Sequence, residues 1–163
     1  MVRFETVTVI RAPIERCFDL ARSVEVHLAG NVHSGETAVA EAGVTSGLIS
    51  IGQRVTWRAK HFCVWQTLTS EMTAMDRPRY FQNTMVQGIF QFMRNDHLFR
   101  TFSPEATEMR NTFCFAAPIP VMGRLAEMVF LRRYMYALLR ERNAVIKGIA
   151  ESSEWQRYLP AGL

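Results

Sequence analysis

From Gln53 to Ala116 the chain alternates apolar and polar residues in successive blocks, separated only by short breaks. A period of two is the signature of a half-buried strand. The blocks run from Gln53 to Lys60, Cys63 to Met72, Arg79 to Val86, Phe92 to Phe102 and Thr107 to Ala116. Strands joined by short turns pair antiparallel, because a parallel crossover needs roughly a dozen residues or more. Such a sheet buries one face, and something must cover it. The cover comes next: from Val121 to Arg157, Leu125, Met128, Leu131, Met135, Leu138, Val145 or Ile146, and Ile149 recur at helical spacing. Pro118 and Pro120 stop the sheet before this helix, Gly148 weakens it late and Pro160 ends it.

Ahead of the sheet, Phe4 to Arg11 forms a first strand, with Phe4, Thr6, Thr8 and Ile10 on one face. Ala12-Pro13-Ile14-Glu15 starts a helix, since proline suits a first turn where its missing N–H is not needed. A second short helix covers Ser23 to Ala29, with Ser23 as N-cap. Glu36 to Ala42 reads as a short strand and Gly43 to Gly47 as a loop. The fold class predicted is α+β: a curved antiparallel sheet of six or seven strands around a long C-terminal helix, in one domain of 163 residues. A domain of this size buries roughly 70% of its unfolded surface, enough for a core and a cavity.

Apolar residues make up 48% and charged residues 21%, which excludes disorder. The net charge of +4 is spread out, and no basic stripe or known motif points to nucleic acid. The densest basic segment, Arg132-Arg133 to Arg140-Glu141-Arg142, reads as the solvated face of the long helix. No apolar run is long enough to cross a membrane as a helix, and the N-terminus reads as a strand and not a signal peptide. Cys17, Cys63 and Cys114 are widely spaced and are expected to be reduced packing residues in a cytoplasmic protein.

Parity selects the residues able to face a space between sheet and helix. With Phe99 inward, Met93, Asn95, His97 and Thr101 share its side. Met109, Asn111, Phe113 and Phe115 form the next set, Val55, Trp57 and Ala59 another, and Phe81, Asn83 and Met85 a fourth. Apolar walls with a few amides and one imidazole suit a small-molecule site. His97 has three readings: a ligand contact, a histidine hydrogen-bonded across the sheet to Asn111 or Asn95, or a general acid/base. Trp57 is expected inward and Trp65 partly exposed, with methionines such as Met85, Met109 and Met135 as flexible fillers. Arg94, Arg100 and Arg110 have the opposite parity and face outward, with Asp96 and Glu108 as ion-pair partners. His27 and His33 flank the Ala29-Gly30-Asn31 loop, but no matching carboxylates are evident, so neither metal nor other cofactor is expected. There is no phosphate loop, nucleophile elbow, HExxH or CxxC motif.

The segment Gly52-Gln53-Arg54-Val55-Thr56-Trp57-Arg58-Ala59-Lys60-His61-Phe62 resembles the SRPBCC group, the START-like or helix-grip superfamily, near its polyketide cyclase/dehydrase-like branch. Leu68-Thr69-Ser70-Glu71-Met72-Thr73, Pro78-Arg79-Tyr80-Phe81, Gly88-Ile89-Phe90, His97-Leu98-Phe99 and Thr107-Glu108-Met109-Arg110-Asn111 follow in the same order. The resemblance implies a deep cavity for hydrophobic or amphipathic small molecules. It implies little chemistry, because members include lipid carriers, cyclases, coenzyme-binding helpers and chaperone-activating domains. Cys63 stands where the group often has glycine, Ile89 replaces a proline, and Asn111 occupies a position that is often aspartate.

The expectation for function is therefore a carrier or sensor that binds a hydrophobic small molecule. Its expected ligand contacts are Trp57, Asn83, Met85, Phe90, Asn95, His97, Phe99, Met109, Asn111, Phe113 and Met135. The alternatives are a cyclase or dehydratase with His97 as acid/base, and a protein-interaction module; a homodimer is compatible with each.

Overall fold

The computed structural model describes residues 1–30, 35–39, 43–116 and 124–160, with the side chains of the last segment from Val129 onward. The chain order is β1 (Val2–Ile10), α1 (Ile14–Ala21), α2 (Val24–Ala29), β2 (Thr37–Val39), β3 (Arg54–His61), β4 (Val64–Asp76), β5 (Tyr80–Gln87), β6 (Phe92–Ser103), β7 (Ala106–Ala116) and α3 (Arg124–Glu151). The seven strands form one sheet in the order β1-β7-β6-β5-β4-β3-β2, and every pairing is antiparallel. This is the α+β arrangement that the alternation predicts.

Local chemistry accounts for the elements. Ser23 caps α2, its Oγ accepting from the Val26 N–H at 3.3 Å. Phe62 and Cys63 make the two-residue turn between β3 and β4, both at positive φ, 52° and 65°. That is the primed-turn geometry whose twist matches the strands. Cys63 consequently sits exposed on the turn, which corrects the expectation of three packing cysteines; Cys17 and Cys114 are buried. It also explains why a glycine suits this position. The helix expected to run through Arg157 ends at Glu151. Ser152 Oγ accepts from the Glu154 N–H and starts a 3-10 turn over Ser153–Arg157. The end of the predicted Glu36–Ala42 strand, Pro118, Pro120 and the side chains of Leu125 and Met128 lie outside the described residues.

Two register shifts in the β4–β5 pairing, at Thr69/Ser70 and Met72/Ala74, bend the sheet. α3 lies across the concave face and packs on β1, α1 and α2. Two apolar clusters fill the space between. In the larger, Phe18 of α1 meets Phe81 and Phe99 edge-on, its centroid 5.4 Å from each, and Met109, Ile146 and Ile149 close around them. The smaller gathers Phe4, Phe90, Met93, Phe113, Phe115 and Leu139.

One buried charge ties α1 to the sheet. Asp19 is 1% exposed and accepts from Arg22 Nε at 2.8 Å and from Arg77 Nη2 at 2.7 Å. Removing one partner of a buried ion pair leaves the others uncompensated. Asp19→Ala should lower the unfolding free energy by about 3 kcal/mol in chemical denaturation; a loss below about 1 kcal/mol, the range of exposed pairs, would show that solvent screens this site.

Candidate functional site

A cavity of about 350 Å³ lies between the sheet and α3. Its sheet wall carries Trp57 and Ala59 of β3, Leu68 and Ser70 of β4, Asn83 of β5, Met93 and Asn95 of β6 and Phe113 of β7. α3 contributes Leu131, Tyr134, Met135, Leu138, Leu139 and Arg142, and α2 contributes His27. Phe62 and Ile89 line the cavity and are also exposed, so the space reaches the surface between the β3–β4 turn and the β5–β6 loop.

Of the residues expected at a ligand, Trp57, Asn83, Phe90, Asn95, Phe113 and Met135 line this cavity together. Met85, His97, Phe99, Met109 and Asn111 are not among its lining residues. Phe99 and Met109 have the inward parity but belong to the larger apolar cluster, where Phe18 and Ile146 occupy the space in front of the sheet. Met85 packs at the edge of the smaller cluster, its sulfur close to Gly88. Thr101 is exposed, because a register shift between Thr101 and Ser103 breaks the alternation.

His97 is fully buried, and its ring stacks on Phe81 at 4.1 Å. Asn111 Nδ2 donates to its Nδ1 at 2.9 Å, the cross-sheet pairing that was one of its three readings. Burial lowers its pKa well below the ordinary histidine value, with smaller contributions from Arg142 and His27. His97 is not among the cavity-lining residues; its ring packs on Phe81, which in turn meets Phe18.

The polar groups of the cavity come from elsewhere. His27 stacks on Trp57 at 3.7 Å, and its Nε2 meets Glu36 Oε2 at 3.1 Å. Burial, then Arg142, lowers the His27 pKa against the pull of Glu36, so this contact joins a neutral imidazole to a carboxylate. The Tyr134 hydroxyl lies 2.6 Å from His61 Nδ1. Burial lowers the His61 pKa and raises that of Tyr134, which keeps both neutral and lets the phenol donate. Arg142 is the one correction on α3: Arg132, Arg133 and Arg140 are solvated as expected, but Arg142 turns inward. Helical phase carried that signal. Between Leu138 and Val145 or Ile146 the apolar stripe has a missing step, and Arg142 stands in it. His33 and Asn31, beside His27 in sequence, lie outside the described residues.

On the outer face Arg94 pairs with Asp96 and Arg110 with Glu108 and Glu5, as parity predicts. Trp65 is half exposed, under the guanidinium of Arg58. No described helix is long and apolar enough to cross a membrane.

The buried histidines predict a pH dependence. His97, neutral in the fold, has a reference pKa near 6.5 when unfolded. As pH falls below that value the unfolded chain binds a proton that the folded chain refuses, so stability is lost toward acid. Denaturation between pH 7 and 5 should show a stability falling by at most about 1.4 kcal/mol per pH unit per proton. His97→Phe should reduce that slope, with His27 and His61 supplying the remainder; an unchanged slope would refute its assignment to His97.

No family model matches the chain, and no curated protein sequence matches it. Solved structures do. The Zhui aromatase/cyclase from Streptomyces sp. R1128 superposes with a TM-score of 0.74 at 16% identity, over 99% of this chain and 98% of that one. A START superfamily protein from Mycobacterium smegmatis gives 0.68 at 11% identity, over 91% and 97%. A protein from Thermus thermophilus gives 0.68 at 17%, over 91% and 99%. With the sheet order, the long covering helix and these superpositions, the chain has the START-like, helix-grip fold that it shares with the Streptomyces aromatase/cyclase and the Mycobacterium START superfamily protein.

Proposed function

We propose that this chain binds a hydrophobic or amphipathic small molecule in the cavity between sheet and α3, as a carrier or sensor. The observation that carries the reading is an apolar-walled space of about 350 Å³ lined by a buried amide oxygen that has no hydrogen-bond partner among the described residues. Asn95 is 5% exposed and lines the cavity, and its Oδ1 makes no hydrogen bond. Asn83 stands directly opposite on β5 and lines the same wall. Leaving a buried amide oxygen unsatisfied costs roughly 1–3 kcal/mol, so such an acceptor points to a hydroxyl donor arriving with a ligand. The volume falls within the range of small-molecule sites, about 300–1,000 Å³. Apolar walls supply affinity and the amides orient what binds.

The exposed apolar groups fit the same reading. Phe62 packs against Phe130 at 5.5 Å and Tyr134 at 4.6 Å, beside the opening. An apolar rim lowers the cost of entry for an apolar molecule leaving water. The fold is shared with an aromatase/cyclase, but fold does not decide chemistry. With His97 outside the cavity lining and joined to Asn111, binding is the reading that the geometry supports best.

N-phenyl-1-naphthylamine, a neutral apolar dye, provides the test. It should bind saturably with a rise in its emission, excited in part by transfer from Trp57 in the cavity wall. Met135→Trp, which puts bulk into the cavity from α3, should weaken binding about tenfold, the equivalent of 1.4 kcal/mol, while leaving the circular dichroism spectrum intact. Unchanged dye affinity in a folded Met135→Trp protein would place the dye elsewhere and count against the cavity.

A further inference from the structure

Arg142 is a cation inside this cavity, and no described carboxylate makes an ion pair with it. Burial brings its pKa down to about 10, which still leaves it charged at neutral pH. Among the described residues its side chain makes one hydrogen bond, from Nη2 to the Ala21 carbonyl at 3.3 Å, and no ion pair. Its Nε is buried and has no partner. Glu36 is the described carboxylate that acts on it electrostatically, but it does so from a distance: no ion pair joins the two, and Glu36 Oε2 lies 3.1 Å from His27 Nε2. The stem cannot easily swing away, because it is clamped against α2. A methyl group on Gly30 would stand 3.2 Å from both Cα and Cγ of Arg142.

A guanidinium drawn largely out of water with no ion-pair contact is costly to keep, and a partner carboxylate offsets that cost. Its planar fork of donors matches a carboxylate two bonds at a time. We propose that Arg142 is the anchor for a carboxylate, and that the cavity takes an amphipathic carboxylic acid. The acid group lies at Arg142, and the apolar body runs along Met135, Leu139 and Phe113. A hydroxyl on that body donates to Asn95 Oδ1. This deepens the binding function proposed above and rests on it.

The test compares 6-hydroxy-2-naphthoic acid and decanoic acid with their methyl esters, each titrated at pH 7 as a competitor of bound N-phenyl-1-naphthylamine. Each ester keeps the body of its acid and loses the charge. In the unaltered protein both acids should bind at least about tenfold tighter than their esters, as expected for a hydrogen-bonded charge pair out of water. Arg142→Met keeps the length and apolar stem of the side chain; it should abolish the difference between each acid and its ester. Arg142→Lys keeps the charge without the fork and should retain part of the preference. Equal affinity of acid and ester in the unaltered protein overturns the inference and leaves the binding function standing, and that comparison needs no variant to fold. A preference for acid that survives in folded Arg142→Met places the anion elsewhere and also overturns it. Failure of the dye and all four competitors to bind overturns the binding function and the inference together.

Discussion

A bent sheet and a straight helix cannot stay in contact along their whole length. Everything distinctive in this structure follows from how the resulting gap is filled. Toward α1, Phe18 enters between Phe81 and Phe99, and Ile146 and Ile149 of α3 complete the contact. Close packing there leaves no room for a ligand. Toward the first half of α3 the facing side chains are fewer and more flexible, Met93, Met135 and Leu139 among them, and a cavity persists.

The polar groups on the concave face divide along the same line. Where the space is filled, polar side chains meet one another, Asn111 donating to His97 and Asn143 of α3 to Thr6, although His97 Nε2 and the Oδ1 atoms of Asn111 and Asn143 have no hydrogen bond of their own. Where it is open, they face the cavity, as Asn95 and Arg142 do. One inner surface therefore holds two kinds of buried polar residue, and their composition is the same. His97 and Asn95 sit two residues apart on one strand with the same parity. His97 stacks on Phe81 and pairs with Asn111, whereas Asn95 lines the cavity.

The long helix shows how much depends on phase. The arginines near its middle look alike in sequence, as a basic segment on a solvated face. Three face water and Arg142 faces inward, because it falls on the stripe of Met135, Leu138, Ile146 and Ile149. The turn between β3 and β4 teaches a similar lesson on a smaller scale. Phe62 and Cys63 adopt positive φ without a glycine, and the register of the hairpin, not the character of Cys63, sends its thiol outward.

Periodicity alone determined the strands, their antiparallel order, the covering helix and the face on which each residue lies, since alternation and helical spacing are local properties of the chain. Trp57, Asn83, Phe90, Asn95, Phe113 and Met135 were legible as inward-facing for that reason. Only the tertiary structure decided where along the inner face space remains. That depends on where Phe18 and the end of α3 come to rest, contacts between residues far apart in the chain that no local pattern encodes. The same long-range packing turned His97 into a structural residue and brought Arg142, His27 and Glu36 to the cavity wall.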